Sequence, residues 1–207
     1  MKRVILTIVF ACCTLALTAQ DGFKVNFKGD RPTISDFAWA YLSGMNDDEY
    51  MEEGETDESF NAIYGAWERH REGKKLDEDE SLVIDQKNGF VLYEWRYEED
   101  LLRIEMCYWN ESDGKHKLFA MGTYSFEDGK YRAGQFDGLV FLRYDNATRT
   151  MDWAEDTGFD VEYGTEDGAW VSYDLPRSGK DITVNYWYDN GTKKQKTLKF
   201  DGRRFSF

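Results

Sequence analysis

Cysteine is close to absent from this chain. Of the three cysteines, Cys12 and Cys13 fall in an apolar leader, and only Cys107 lies beyond it. An intramolecular disulfide in residues 21–207 is therefore excluded, and the fold must rest on its apolar core. Cys107 has no histidine partner in sequence that would make it a catalytic thiol, and reads as a filler in a strand. Histidine is as scarce. His70 sits between Arg69 and Arg71, and His116 between Lys115 and Lys117. Positive flanks disfavour both an imidazolium and a bound cation, so both histidines read as surface residues rather than zinc ligands. There is no Gly-x-Ser-x-Gly elbow and no phosphate-cradling glycine loop. No repeat of fixed period is present. The one long apolar run, Val4–Leu17, is shorter than the about 20 residues of a comfortable bilayer-spanning helix. Positive charge is outweighed: the formal net charge is −14. A protein so acidic repels nucleic acid and anionic lipid, whose binding needs Lys and Arg to displace counterions.

The apolar run has its own meaning. Lys2 and Arg3 precede it, and Thr18-Ala19-Gln20 supplies small and polar residues after it. Charged start, apolar middle and small-residue exit make a secretory signal peptide over residues 1–20. The sequence thus predicts an exported protein, periplasmic or extracellular, consisting of one domain over residues 21–207. Losing two positive charges with the leader takes the net charge from −14 to −16. Val9-Phe10-Ala11-Cys12 loosely matches a lipoprotein box, and lipidation of Cys12 would give an outer-membrane lipoprotein instead.

Beyond the leader the hydrophobic period is first helical, then alternating. The alternating Phe23-Val25-Phe27 pattern suits a short edge strand. A helix is expected over 33–43, with Thr33 and Asp36 as its capping box and Gly44 as its stop. After the acidic stretch Asn46–Asp57, a second helix is expected over 58–71, where Phe60, Ile63, Tyr64 and Trp67 fall at i, i+3, i+4 and i+7. From Leu82 onward come about ten strands. Turn dipeptides such as Asn88-Gly89, Asp128-Gly129, Asn190-Gly191 and Asp201-Gly202 separate them and tolerate the positive φ of tight hairpins. No helical segments lie between these strands, so parallel βαβ units are excluded. The expected class is α+β, predominantly antiparallel β: two N-terminal helices, then a roughly ten-stranded meander forming a barrel or a sandwich. Alternation puts Leu102, Ile104, Met106 and Tyr108 on one face, and Arg103, Glu105 and Cys107 on the other.

The leader ending in Ala-Gln, the acidic aromatic-rich β domain and the phrase Gly138-Leu139-Val140-Phe141-Leu142-Arg143-Tyr144-Asp145-Asn146 resemble small exported proteins of Bacteroidota-type bacteria. The resemblance implies an envelope or secreted location. It carries over no functional residue.

The densest acidic cluster runs from Asp152 to Asp167. Asp152, Asp156, Asp160 and Glu162 are candidate ligands for a hard cation such as calcium, although their spacing does not match an EF-hand. Trp109 and Trp187 fall on strand faces opposite the apolar stripes and are candidate ligand platforms. The expected function is a non-enzymatic binding or envelope-associated domain. Its partner would be a basic protein or peptide, or a glycan. A protein partner would dock on the acidic body away from the last hairpin, where Lys193, Lys194, Lys196, Lys199, Arg203 and Arg204 crowd. The alternatives are a glycan hydrolase working through two carboxylates, and an acidic inhibitor of a cationic envelope enzyme.

Overall fold

The computed structural model describes residues 22–46, 58–134, 137–159 and 168–207. The leader, its lipoprotein box and the acidic connector after Asn46 lie outside them. Helix α1 (Ile34–Met45) starts as its sequence requires: the backbone N–H and the hydroxyl of Thr33 both donate to the Asp36 carboxylate, each at 2.7 Å. It runs past Gly44, which lies in its last turn against the Phe23 ring. Glycine serves there for close approach and not as a stop. Helix α2 (Glu58–Arg71) turns Phe60, Ile63 and Trp67 inward. The two helices meet through the Trp39–Tyr64 stack, ring centroids 5.8 Å apart, with the Arg71 guanidinium 3.7 Å over Trp39.

The strands do not form a single ten-stranded meander. Twelve are present among the described residues, in two antiparallel sheets. The larger contains β1 (Phe23–Lys24), β2 (Glu80–Asp85), β3 (Phe90–Tyr97), β4 (Asp100–Asn110), β5 (His116–Glu127), β6 (Lys130–Tyr131), β7 (Gly138–Asp145) and β8 (Thr150–Trp153). Their order is β1-β8-β7-β5-β4-β3-β2, with β6 paired to β5 off this path. The sheet curls into a half-barrel that stays open, β1 and β2 forming its edges. The smaller sheet contains β9 (Trp170–Asp174), β10 (Ile182–Trp187), β11 (Lys193–Phe200) and β12 (Phe205–Ser206), in the order β12-β11-β10-β9.

Both faces of the large sheet are covered. On one side Ile34, Phe37, Leu42, Ile63 and Trp67 of the helices pack on Tyr93, Ile104, Met106, Phe119 and Leu142. On the other, Cys107, Trp109, Leu118 and Phe141 pack on Tyr173, Ile182, Leu198 and Phe200 of the small sheet. The molecule is thus three layers, helix on sheet on sheet, with β4 and β5 contributing alternate residues to two cores. Among the described residues no helix is long and apolar enough to cross a membrane.

Turn chemistry matches conformation. Asp128 and Gly129 both take positive φ, 50° and 71°, as a type I′ hairpin requires. Gly89 has φ +66°, and a Cβ there would lie 2.6 Å from Tyr108 Cε1. Gly89→Ala is expected to cost about 1–3 kcal/mol in a urea melt, from backbone strain and the displaced tyrosine together. An unchanged midpoint would show that the turn relaxes without either penalty.

Candidate functional site

The hairpin end of β3–β6 forms a cleft of about 470 Å³. Two tips meet here. The β3–β4 turn is Glu98-Glu99, and the β5–β6 turn is Asp128-Gly129. Strand register sets Asp100 opposite Glu127 and Leu101 opposite Phe126. Trp95, Tyr97, Leu101 and Phe126 give the cleft apolar walls, and Asp100, Glu127 and Arg132 give it charge. Tyr97 is 63% exposed, a large ring left in solvent. Arg132 donates to Glu127 at 3.0 Å, whereas no partner holds Asp100 among the described residues. The tips crowd carboxylates: Asp128 bonding to the Glu99 carboxyl, a little burial and the nearby Asp100 charge all raise the Glu99 pKa.

A second cluster lies where β4 turns into β5. Ligand atoms of Glu111, Asp113 and His116 lie within 4.8 Å of one another, the scale of a cation cage. Their partners argue otherwise. Arg143 Nε donates to both Glu111 oxygens, at 3.0 and 3.2 Å, and its far nitrogen pairs with Asp156. Asp113 Oδ1 accepts the backbone N–H groups of Lys115 and His116, while Oδ2 lies 2.5 Å from His116 Nδ1. The His116 contact, then those backbone bonds, hold the Asp113 carboxyl far below the usual range. The other ring nitrogen of His116 faces Asp145 at 3.7 Å. The carboxylates already answer to donors within the protein, and the network fastens this turn to β7. His116 differs here from its sequence setting, because alternation sends Lys117 to the opposite face and leaves the ring among three acids.

Glu105 is a buried carboxyl whose titration the fold alters strongly. Burial between the sheets pushes its carboxyl up to about 7, partly offset by the Leu175 backbone N–H donating at 2.7 Å, with Asp174 nearby raising it further. It lines neither the cleft nor the cavity beside His116.

The residues singled out from sequence are scattered. Trp109 is 5% exposed, in the inter-sheet core, and its indole N–H donates to the Lys180 carbonyl at 2.9 Å. Alternation did place it opposite the Ile104 stripe, but that face is a second core and offers no platform. Trp187 is half-buried: its indole bonds Ser172, its ring packs on Phe126 and Tyr131, and Lys193 covers it. Asp152 is exposed at the end of the large sheet. Asp156 is held by Arg143, which lowers its pKa and uses it as a counter-ion. Asp160 and Glu162 lie outside the described residues. The cleft residues went unremarked in sequence. Their one local signal was the acidic tip Glu98-Glu99-Asp100 directly after Trp95 and Tyr97.

Comparison of the chain with protein-family models, with curated proteins and with solved structures gives no match in any of the three.

Proposed function

We propose that this is an exported, non-catalytic binding domain that captures a cationic partner, a basic peptide or a basic segment of a protein, in the cleft at the β3–β6 tips. The observation that carries this reading is the conjunction in one cleft of an exposed tyrosine, Tyr97, with the carboxylates Asp100 and Glu127, beside the acidic tips that carry Glu99 and Asp128. An arriving ammonium or guanidinium relieves the repulsion among these carboxylates, and the ring faces add cation–π attraction. Export rests on the signal-like leader. The acidic-inhibitor reading is a special case, in which the captured segment belongs to an enzyme. Glycan hydrolysis has less support: it needs a carboxyl of raised pKa opening into a cleft beside a second one, whereas Glu105 is enclosed and Glu99, raised chiefly by its bond to Asp128, sits on an exposed tip outside the cleft lining. The cleft adjoins the last hairpin and is not remote from it, since Phe126 touches Trp187.

A pentalysine peptide titrated at low ionic strength tests the reading. Tyr97→Ala and Asp100→Asn are each expected to weaken binding, by about tenfold for the tyrosine, the upper part of the cation–π range. Affinity should also fall as salt screens the rim. Equal affinity in wild type and both variants would remove the cleft from the explanation.

A further inference from the structure

β11 has an open side. β12 pairs with it only at Lys199 and Phe200, so among the described residues no strand borders Lys193–Thr197 on the side away from β10. The exposed edge is basic. Lys193, Lys194 and Lys196 form no ion pair among the described residues, so the lysines of this hairpin do not simply neutralise neighbouring acidic strands. They lie instead over rings: Lys193 over Trp187 at 4.3 Å, Lys194 over Tyr188 at 4.9 Å, and Lys196 over Tyr186 at 5.2 Å. The rings hold the ammonium groups in place on the strand, so less side-chain freedom remains to be lost on binding.

We infer that this edge receives an extended acidic peptide as an additional strand, with carboxylates at alternate positions beside Lys194 and Lys196. A strand edge offers a row of backbone N–H and C=O groups, which matches a polypeptide and not a sugar chain. Same-face side chains repeat about every 6.8 Å in any extended chain, so acidic residues two apart stay in step with Lys194 and Lys196. Edge lysines ordinarily keep neutral strands from adding. Here the same charges select: they repel basic strands, leave neutral ones unrewarded and favour acidic ones. The site is opposite in sign to the cleft and shares none of its lining residues.

The test uses the ¹⁵N-labelled chain and an acetylated octapeptide alternating Val and Glu, at low ionic strength. Amide shifts are expected along Lys193–Thr197. The Lys194→Glu/Lys196→Glu double variant should lose about tenfold in affinity, the scale of two exposed charge pairs reversed. The same peptide N-methylated at alternate residues keeps every carboxylate but cannot complete a ladder, and should not bind. The inference is overturned if the methylated peptide or polygalacturonate binds as well as the parent peptide, since charge alone would then suffice. It is overturned equally if the parent peptide shifts no β11 amide up to millimolar concentration.

Discussion

Trp67→Ala is expected to destabilise the protein by about 3–5 kcal/mol, the range for truncating a buried tryptophan. Trp67 is 1% exposed, on the inward stripe of α2, where it belongs to the helix–sheet core with Ile63 and Tyr93. Nothing on this face could fill the space left behind without moving α2, because Ile63 and Tyr93 are fully buried themselves. Chemical denaturation of both proteins checks the value. A loss below about 1 kcal/mol would mean the helix is not anchored here, since truncations at exposed positions fall in that range.

Glu105→Gln is expected to change how stability depends on pH. The Glu105 carboxyl titrates near 7 in the folded protein against an ordinary 4.5. Between those values the folded state keeps a proton that the unfolded chain has released, so wild-type stability falls as pH rises through this window. The accumulated loss is about 3 kcal/mol, from about 1.4 kcal/mol for each unit of pKa difference. Glutamine does not titrate, and its amide oxygen can still accept the Leu175 N–H. The variant should therefore lack this decline and gain on wild type by about 3 kcal/mol between pH 4 and pH 8. Urea midpoints at the two pH values measure it. Parallel wild-type and variant profiles would show that the carboxyl ionises inside the fold without penalty.

The sequence carried the elements well because their signals are local. The helical spacing of Phe60, Ile63 and Trp67 located α2, and Phe90–Tyr97 is the strand that alternation outlines. What it could not carry was the partition into two sheets. β1 pairs with β8 through Phe23 and Met151, a long-range match that no local pattern announces. β6 is two residues long and too short for any period to register. Trp109 was misleading for a related reason. Alternation assigns a face but not what covers it, and the usual expectation of one dry and one wet face fails for a central layer. A signal existed in Leu118–Met121 of β5, a run of consecutive apolar residues, all buried, as strands covered on both sides tend to have. The cleft was harder still, because Tyr97, Leu101 and Phe126 come together only once β3, β4 and β5 are in register.

The doubly covered sheet also dictates where this chain can change length. In β4, Ile104 and Met106 supply the helix-side core while Glu105 and Cys107 supply the inter-sheet one. Inserting or deleting one residue there would turn every later side chain of the strand over. Deleting Ile104, for example, would bring methionine to where the Leu175 N–H meets a carboxylate and drive Glu105 against α1 and α2. Two cores would be lost to one codon. The Glu98-Glu99 and Asp128-Gly129 tips are exposed, and the same change there disturbs neither core. Length variants of this protein should therefore collect at the rim that shapes the cleft, while the layered body keeps its register.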